Sequence, residues 1–239
     1  RIHNVDSRQI YKEMDIGTAK PSKEDQERVK HFLIDLKPPN KPLTLHDFQK
    51  KALESLNTSF DEHGIGFLVG GSGLYLQSLT EGLVPPQVPP QKTLRHQLNQ
   101  LQSKECHELL KVCDPISAKK IPQADAIRTI RALEVFYATG KPISSLQRRK
   151  APPWSILEIG LNPKNLQKRI IHRTNEMYKN GLIEETKQLI NQFGKDLPLL
   201  KTIGYEEALK KIQGRLNTDE AIQSTIRRTN QFAKRQKTW

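Results

Sequence analysis

Within residues 6–21 the chain gathers Asp6, Ser7, Arg8, Gln9, Tyr11, Asp15, Gly17, Thr18 and Lys20, with few apolar positions between them. A carboxylate at Asp6 can take a proton or accept a hydrogen bond, and the cations of Arg8 and Lys20 can hold phosphate oxygens. Ile2–Val5 reads as the end of a short buried strand, which puts Asp6 where strand gives way to loop. In open α/β sheets that carboxyl edge is where ligands bind. A purely local role stands beside this one: Asp or Ser after a strand also caps a following helical turn.

The elements that must position these groups can be traced along the chain. Ser22 precedes an acidic residue by three positions and opens a helix, and Thr44 opens a second. Leu45, Phe48, Ala52, Leu53 and Leu56 mark one face of the second helix. Ile65–Val69 is a short apolar run suited to a buried parallel strand, and it ends in Gly70-Gly71-Ser72-Gly73. Glycines there let backbone amides approach a ligand, with a helix N-terminus beyond them.

Pro85-Pro86-Gln87-Val88-Pro89-Pro90 is a stiff linker. A helical stretch follows, then the cations Arg148-Arg149-Lys150 ahead of Pro152-Pro153-Trp154, a grouping suited to phosphate contact and base stacking. Ser155–Leu161 reads as a return strand, residues 165–193 as a long helix or a pair broken near Asn180-Gly181, and residues 219–239 as a basic helix. Arg128 and Arg131 share a helix face, where salt bridges to Asp125 and Glu134 compete with RNA contact.

Thirty-nine basic against 26 acidic residues leave a formal charge of +13, which calls for a polyanion or else describes a solvated basic surface. Nucleic acid is the expected partner, because no basic amphipathic segment carries interfacial aromatics. No apolar run approaches the roughly 18 residues of a membrane span, so no membrane partner and a cytoplasmic location are expected. Cys106 and Cys113 are too far apart on one helix for a disulfide and lack the companions of a zinc site.

The run DSRQIYKEMDIGTAKP at 6–21 resembles the signature of the tRNA dimethylallyltransferases, also called isopentenyl-tRNA transferases. Further matches follow in the same order: HFLID at 31–35, VGGSGLY at 69–75, DAIRTIRALEV at 125–135, TGKP at 139–142, NGLIEE at 180–185, IGYEEAL at 203–209 and AKRQKTW at 233–239. The resemblance implies an α/β, P-loop-like nucleotide-binding core of parallel strands with a helical insertion that grips the anticodon stem-loop. Residues 1–87 are expected as core, 88–188 as the tRNA-binding insertion, and 189–239 as the return to the core with basic helices.

The implied reaction moves a dimethylallyl group from dimethylallyl diphosphate to N6 of the adenine next to the 3′ end of the anticodon. Asp6 and Thr18 are then expected to be catalytic, with Asp6 as the base. Asp6, Ser7, Arg8, Gln9, Ser72, Gln147, Arg148, Arg149, Arg235 and Gln236 are expected to contact tRNA, and Arg8 and Lys20 the diphosphate. The partners are a tRNA anticodon stem-loop and dimethylallyl diphosphate, with Mg2+ as cofactor, no metal ligand assigned among these residues, and a monomer expected.

Several features depart from the family. No G-x-x-x-x-G-K-[ST] phosphate loop occurs, and in the family that loop lies just upstream of the position matching Arg1, so a fragment is expected. Asn230 replaces a usual arginine, Gln123-Ala124 a usual Pro-Asn, and Glu206 a frequent basic residue. A non-catalytic RNA-binding fragment and a transferase acting on free adenine nucleotides are the competing readings.

Overall fold

Strand β1 (Ile2–Val5) lies at the centre of a three-stranded parallel sheet, between β2 (His31–Phe32) and β3 (Leu68–Gly70). Ile2 stands opposite His31 in one ladder, and His3 opposite Leu68 in the other. The computed structural model describes residues 1–238; Trp239, the last residue of the AKRQKTW match, lies outside them.

Parallel strands need crossovers, and helices supply them. Helix α1 (Lys23–Arg28) precedes β2, and α2 (Leu45–His63) leads to β3. Ser22 and Thr44 cap these two helices, as expected, each in a reciprocal capping box with the aspartate three residues on. Helix α2 buries Phe48, Ala52, Leu56 and Ser59, and His3 beneath it meets the hydroxyls of Ser55 and Ser59. Helix α3 (Gly73–Thr80) begins directly after the glycine loop.

The described chain divides into two units, residues 1–79 with 154 onward, and residues 80–153. The second holds β4 (Leu83–Val84), α4 (Lys92–Leu98), α5 (Ser103–Cys113), α6 (Pro115–Lys120), α7 (Ala126–Thr139), α8 (Ile143–Leu146) and β5 (Arg148–Arg149). Leu98, Cys106, Leu110, Ile130 and Leu133 form its own small core. Arg95 and Arg131 both bind the buried Glu134 carboxylate, and Arg131 also donates to the Pro86 and Val88 carbonyls, tying the proline linker to α7. Arg128 pairs with Asp125, so in both cases the salt-bridge alternative is the one realised.

The first unit resumes with α9 (Leu166–Lys179), α10 (Leu182–Phe193), a 3-10 turn (Pro198–Lys201), α11 (Tyr205–Ile212) and α12 (Thr218–Gln236). Met177, Tyr178, Leu182 and Leu189 share one core with Val5, Ile10 and Met14 in this unit. One expectation is corrected here. Ser155–Leu161 forms no strand: no ladder partner faces it among the described residues, and Leu157 and Leu161 stay 85% and 91% exposed. Gly181, at φ +102°, makes the break between α9 and α10.

Candidate active site

Strand β1 delivers Asp6 into a turn that Asp6 itself organises. Its Oδ1 accepts the Arg8 amide at 2.7 Å and the Gln9 amide at 3.3 Å, while Oδ2 takes neither bond. The capping role is therefore real, and it fixes the carboxylate without consuming it. Asp6, Asn4, Gln9, Ala19, Arg28 and Gly70 line an open cleft of about 600 Å3.

The glycine loop is stitched to the same edge. The Ser7 amide donates to Ser72 Oγ at 2.9 Å, and the Ser72 amide donates to the Val5 carbonyl at 3.2 Å. Helix α12 reaches back to this loop through Gln236, whose Nε2 donates to the Gly71 carbonyl at 3.0 Å. A Cβ on Gly71 would stand 2.1 Å from that nitrogen, so any side chain there would push the Gln236 amide aside. Arg235 instead lies over the Phe232 ring, 5.9 Å from its centroid.

Residues 13–20 are held from beneath by a carboxylate that sequence reading did not single out. Glu185 accepts the amides of Asp15, Ile16 and Gly17 at 2.8–3.1 Å and the Tyr205 hydroxyl at 2.5 Å. Burial, reinforced by the Glu185 charge, pushes the Tyr205 phenol far above its ordinary value, so it remains a donor. A Cβ on Gly17 would lie 2.4 Å from the Tyr205 ring. The matches at 180–185 and 203–209 thus meet the match at 6–21 at one point, and only tertiary structure reveals it.

Two predicted groups have their polar atoms turned elsewhere. Thr18 is buried and its hydroxyl donates to the Met14 carbonyl at 2.6 Å, closing the turn rather than pointing outward. Lys20 has a side chain only 3% exposed, and its ammonium is shared by Asp15, Asp35 and the Tyr11 carbonyl at 2.5, 2.6 and 2.8 Å. A diphosphate would have to displace two carboxylates to reach it. Arg8 remains exposed beside Asp6.

A further cation, absent from the sequence reading, is coupled electrostatically to Asp6. Arg173 on α9 has its pKa lowered by desolvation, with the Asp6 charge acting in the opposite direction. The residue as a whole is solvent-exposed. Nothing in the sequence separates Arg173 from the other bases of an ordinary amphipathic helix. Tyr75 also lies within the influence of Asp6 and Arg8, and burial pushes its phenol up to about 12. It stays protonated.

Gln147, Arg148 and Arg149 belong to the second unit, where all three are exposed. Arg149 pairs with Glu81, and β5 is laddered to β4. Trp154, expected to stack on a base, packs against Phe60 with ring centroids 5.0 Å apart. Among the described residues no group of three or more His, Cys, Asp or Glu side chains could hold a metal ion. With Asp15 and Asp35 engaged by Lys20, the residues present fit Mg2+ only as an ion brought in on substrate phosphates, a common way for magnesium to be bound.

A parallel sheet whose carboxyl edge combines a fixed carboxylate, a glycine-serine loop and a guanidinium defines the class: an α/β group transferase with a P-loop-like core. The profile of the IPP transferase family matches residues 9–239, and the chain belongs to that family. It is 59% identical over 238 residues to the tRNA dimethylallyltransferase of Prochlorococcus marinus (strain MIT 9211), covering all of this chain and 80% of the relative. Identity to the enzyme of the same name from Synechococcus sp. (strain CC9311) is 56%, covering 100% and 77%.

Among solved structures, the full-length tRNA isopentenylpyrophosphate transferase of Bacillus halodurans is 34% identical, with TM-score 0.68 over all of this chain and 77% of that one. A eukaryotic dimethylallyltransferase acting on tRNA is 26% identical, with TM-score 0.80 over all of this chain and 63% of that one.

Proposed function

We propose that this chain transfers a dimethylallyl group from dimethylallyl diphosphate to N6 of the adenine 3′-adjacent to the anticodon of tRNA. Identity of 59% along all of this chain to a tRNA dimethylallyltransferase supports the reaction class. The observation that carries the mechanism is the Asp6 carboxylate, anchored through Oδ1 at the sheet edge and lining the cleft.

The exocyclic amine is a weak nucleophile because its lone pair is delocalised into the ring. Asp6 takes the N6 proton as the N6–C1 bond forms and the C1–O bond to diphosphate breaks, the leaving group departing with the electron pair. Arg173 and Arg8 hold the diphosphate oxygens as charge builds on them. When bound together with the diphosphate, Mg2+ would supply further charge neutralisation beside Arg8 and Arg173. The adenine must leave the loop's stack to reach the cleft, and Ser7, Gln9, Ser72 and Gln236 frame its entry. Gln147, Arg148, Arg149 and Arg235 hold the surrounding RNA, chiefly through phosphates.

A competition assay tests the substrate. With anticodon stem-loop RNA and adenosine monophosphate present together at equal concentration, label from dimethylallyl diphosphate is expected on the RNA at least ~100-fold more often. Preferential labelling of the nucleotide would overturn the tRNA assignment.

A further inference from the structure

Lys20 is the most completely enclosed cation of the site, and the mechanism above gives it no substrate to touch. Its ammonium joins three segments: Asp15 in its own loop, Asp35 after β2 and the Tyr11 carbonyl. Backbone strain collects around the same point. Glu13, Ala19, Leu33 and Asp35 are the non-glycine residues with positive φ among those described, at 63°, 49°, 65° and 52°. Such conformations persist where surrounding interactions over-determine them, and two of the four are Lys20's preceding neighbour and one of its ion-pair partners.

From this knot a continuous path leads to the base. Gln9 Nε2 donates to the carbonyls of Thr18 and Ala19, both at 3.0 Å, and the Gln9 amide donates to Asp6 Oδ1. Residues 18–19 are thus coupled to the Gln9 side chain, and the Gln9 backbone to the Asp6 carboxylate. With Lys20 removed, Asp15 and Asp35 would face one another without the charge that holds them together, and the strained segments would relax apart.

We infer that Lys20 is a positioning residue: an internal ammonium clamp on Asp15, Asp35 and Tyr11 that sets, through Gln9, the aim of the Asp6 base, and not a diphosphate ligand. The inference rests on the proposed function for its kinetic consequence, while the clamp itself can be observed without turnover.

The test uses Lys20→Met and Asp35→Asn in an active enzyme carrying this sequence. Hydrogen exchange of the amides of residues 14–20 reads the clamp directly, and at least a tenfold loss of protection is expected in Lys20→Met without any substrate. Single-turnover transfer should slow at least ~10-fold, while KM for dimethylallyl diphosphate and affinity for the stem-loop stay within threefold. Combining Lys20→Met with Asp6→Asn should cost no more than Asp6→Asn alone, because both act on one proton transfer.

Asp35→Asn keeps the site's volume and decides the matter if Lys20→Met does not fold; it should show the same split at smaller size. Unchanged protection and rate would overturn the clamp, as would a raised KM for the diphosphate with an unchanged rate. Lost protection in a preparation whose parent transfers nothing would support the clamp and count against the proposed reaction instead.

Discussion

At the scale of single residues, the site is made by side chains whose partners decide their chemistry. Asp6 and Lys20 illustrate the two outcomes. The carboxylate uses one oxygen on its own turn and lines the cleft, whereas the ammonium is consumed by acceptors within the protein. Arg173 therefore carries the anion-binding task in this account. A charge-assisted hydrogen bond contributes about 1.5–3 kcal/mol, roughly a ten- to hundredfold change in affinity. Arg173→Gln is expected to raise KM for dimethylallyl diphosphate by at least ~10-fold and to leave stem-loop affinity within twofold, as steady-state kinetics and a filter-binding titration would report. An unchanged donor KM would remove Arg173 from the diphosphate site. Asp6 was legible in the sequence because its turn is local; Arg173 was not, because its electrostatic coupling to Asp6 joins residues more than 160 positions apart.

At the scale of elements, the turn at residues 13–20 owes its shape to Glu185 at the start of α10 and Tyr205 at the start of α11. Tyr205→Phe removes one donor from a buried carboxylate, which costs about 1–3 kcal/mol where a buried group loses a partner. Urea denaturation is expected to show a lower midpoint by that amount with an unchanged slope, and a change below about 0.5 kcal/mol would contradict the anchoring role. Gly17→Ala should destabilise by a comparable amount, about 1–3 kcal/mol for overpacking, since its Cβ would enter the Tyr205 ring. Helix starts at Ser22 and Thr44 could be read from capping patterns because both partners lie three residues apart. The apolar run at 155–161 carried a strand's periodicity but finds no ladder, and periodicity alone supplies no partner. The packing of α9 and α10 was equally hidden, since they look like any amphipathic helices until their buried faces are seen in the core around Val5.

At the scale of the whole molecule, the proposed function divides chemistry and grip between units. Asp6 lies in the unit containing the sheet, while Gln147, Arg148 and Arg149 lie in the unit of residues 80–153. None of the described helices is long and apolar enough to cross a membrane, and the net charge of +13 favours a polyanion. Phosphate contacts carry a salt signature of about 0.7–0.9 in log–log slope per charge neutralised. Arg148→Gln is expected to lower the slope of stem-loop binding by about that amount and to leave the rate at saturating RNA unchanged. A loss of rate at saturation would instead place Arg148 in the chemical step.

That separation gives the most direct test of the central claim, single-turnover transfer of labelled dimethylallyl to an anticodon stem-loop by an active enzyme carrying this sequence and by its Asp6→Asn variant, with RNA affinity measured on both. The account predicts that transfer falls at least ~100-fold, the scale of a lost general base, while RNA affinity changes by no more than severalfold. A near-normal transfer rate in Asp6→Asn would contradict it.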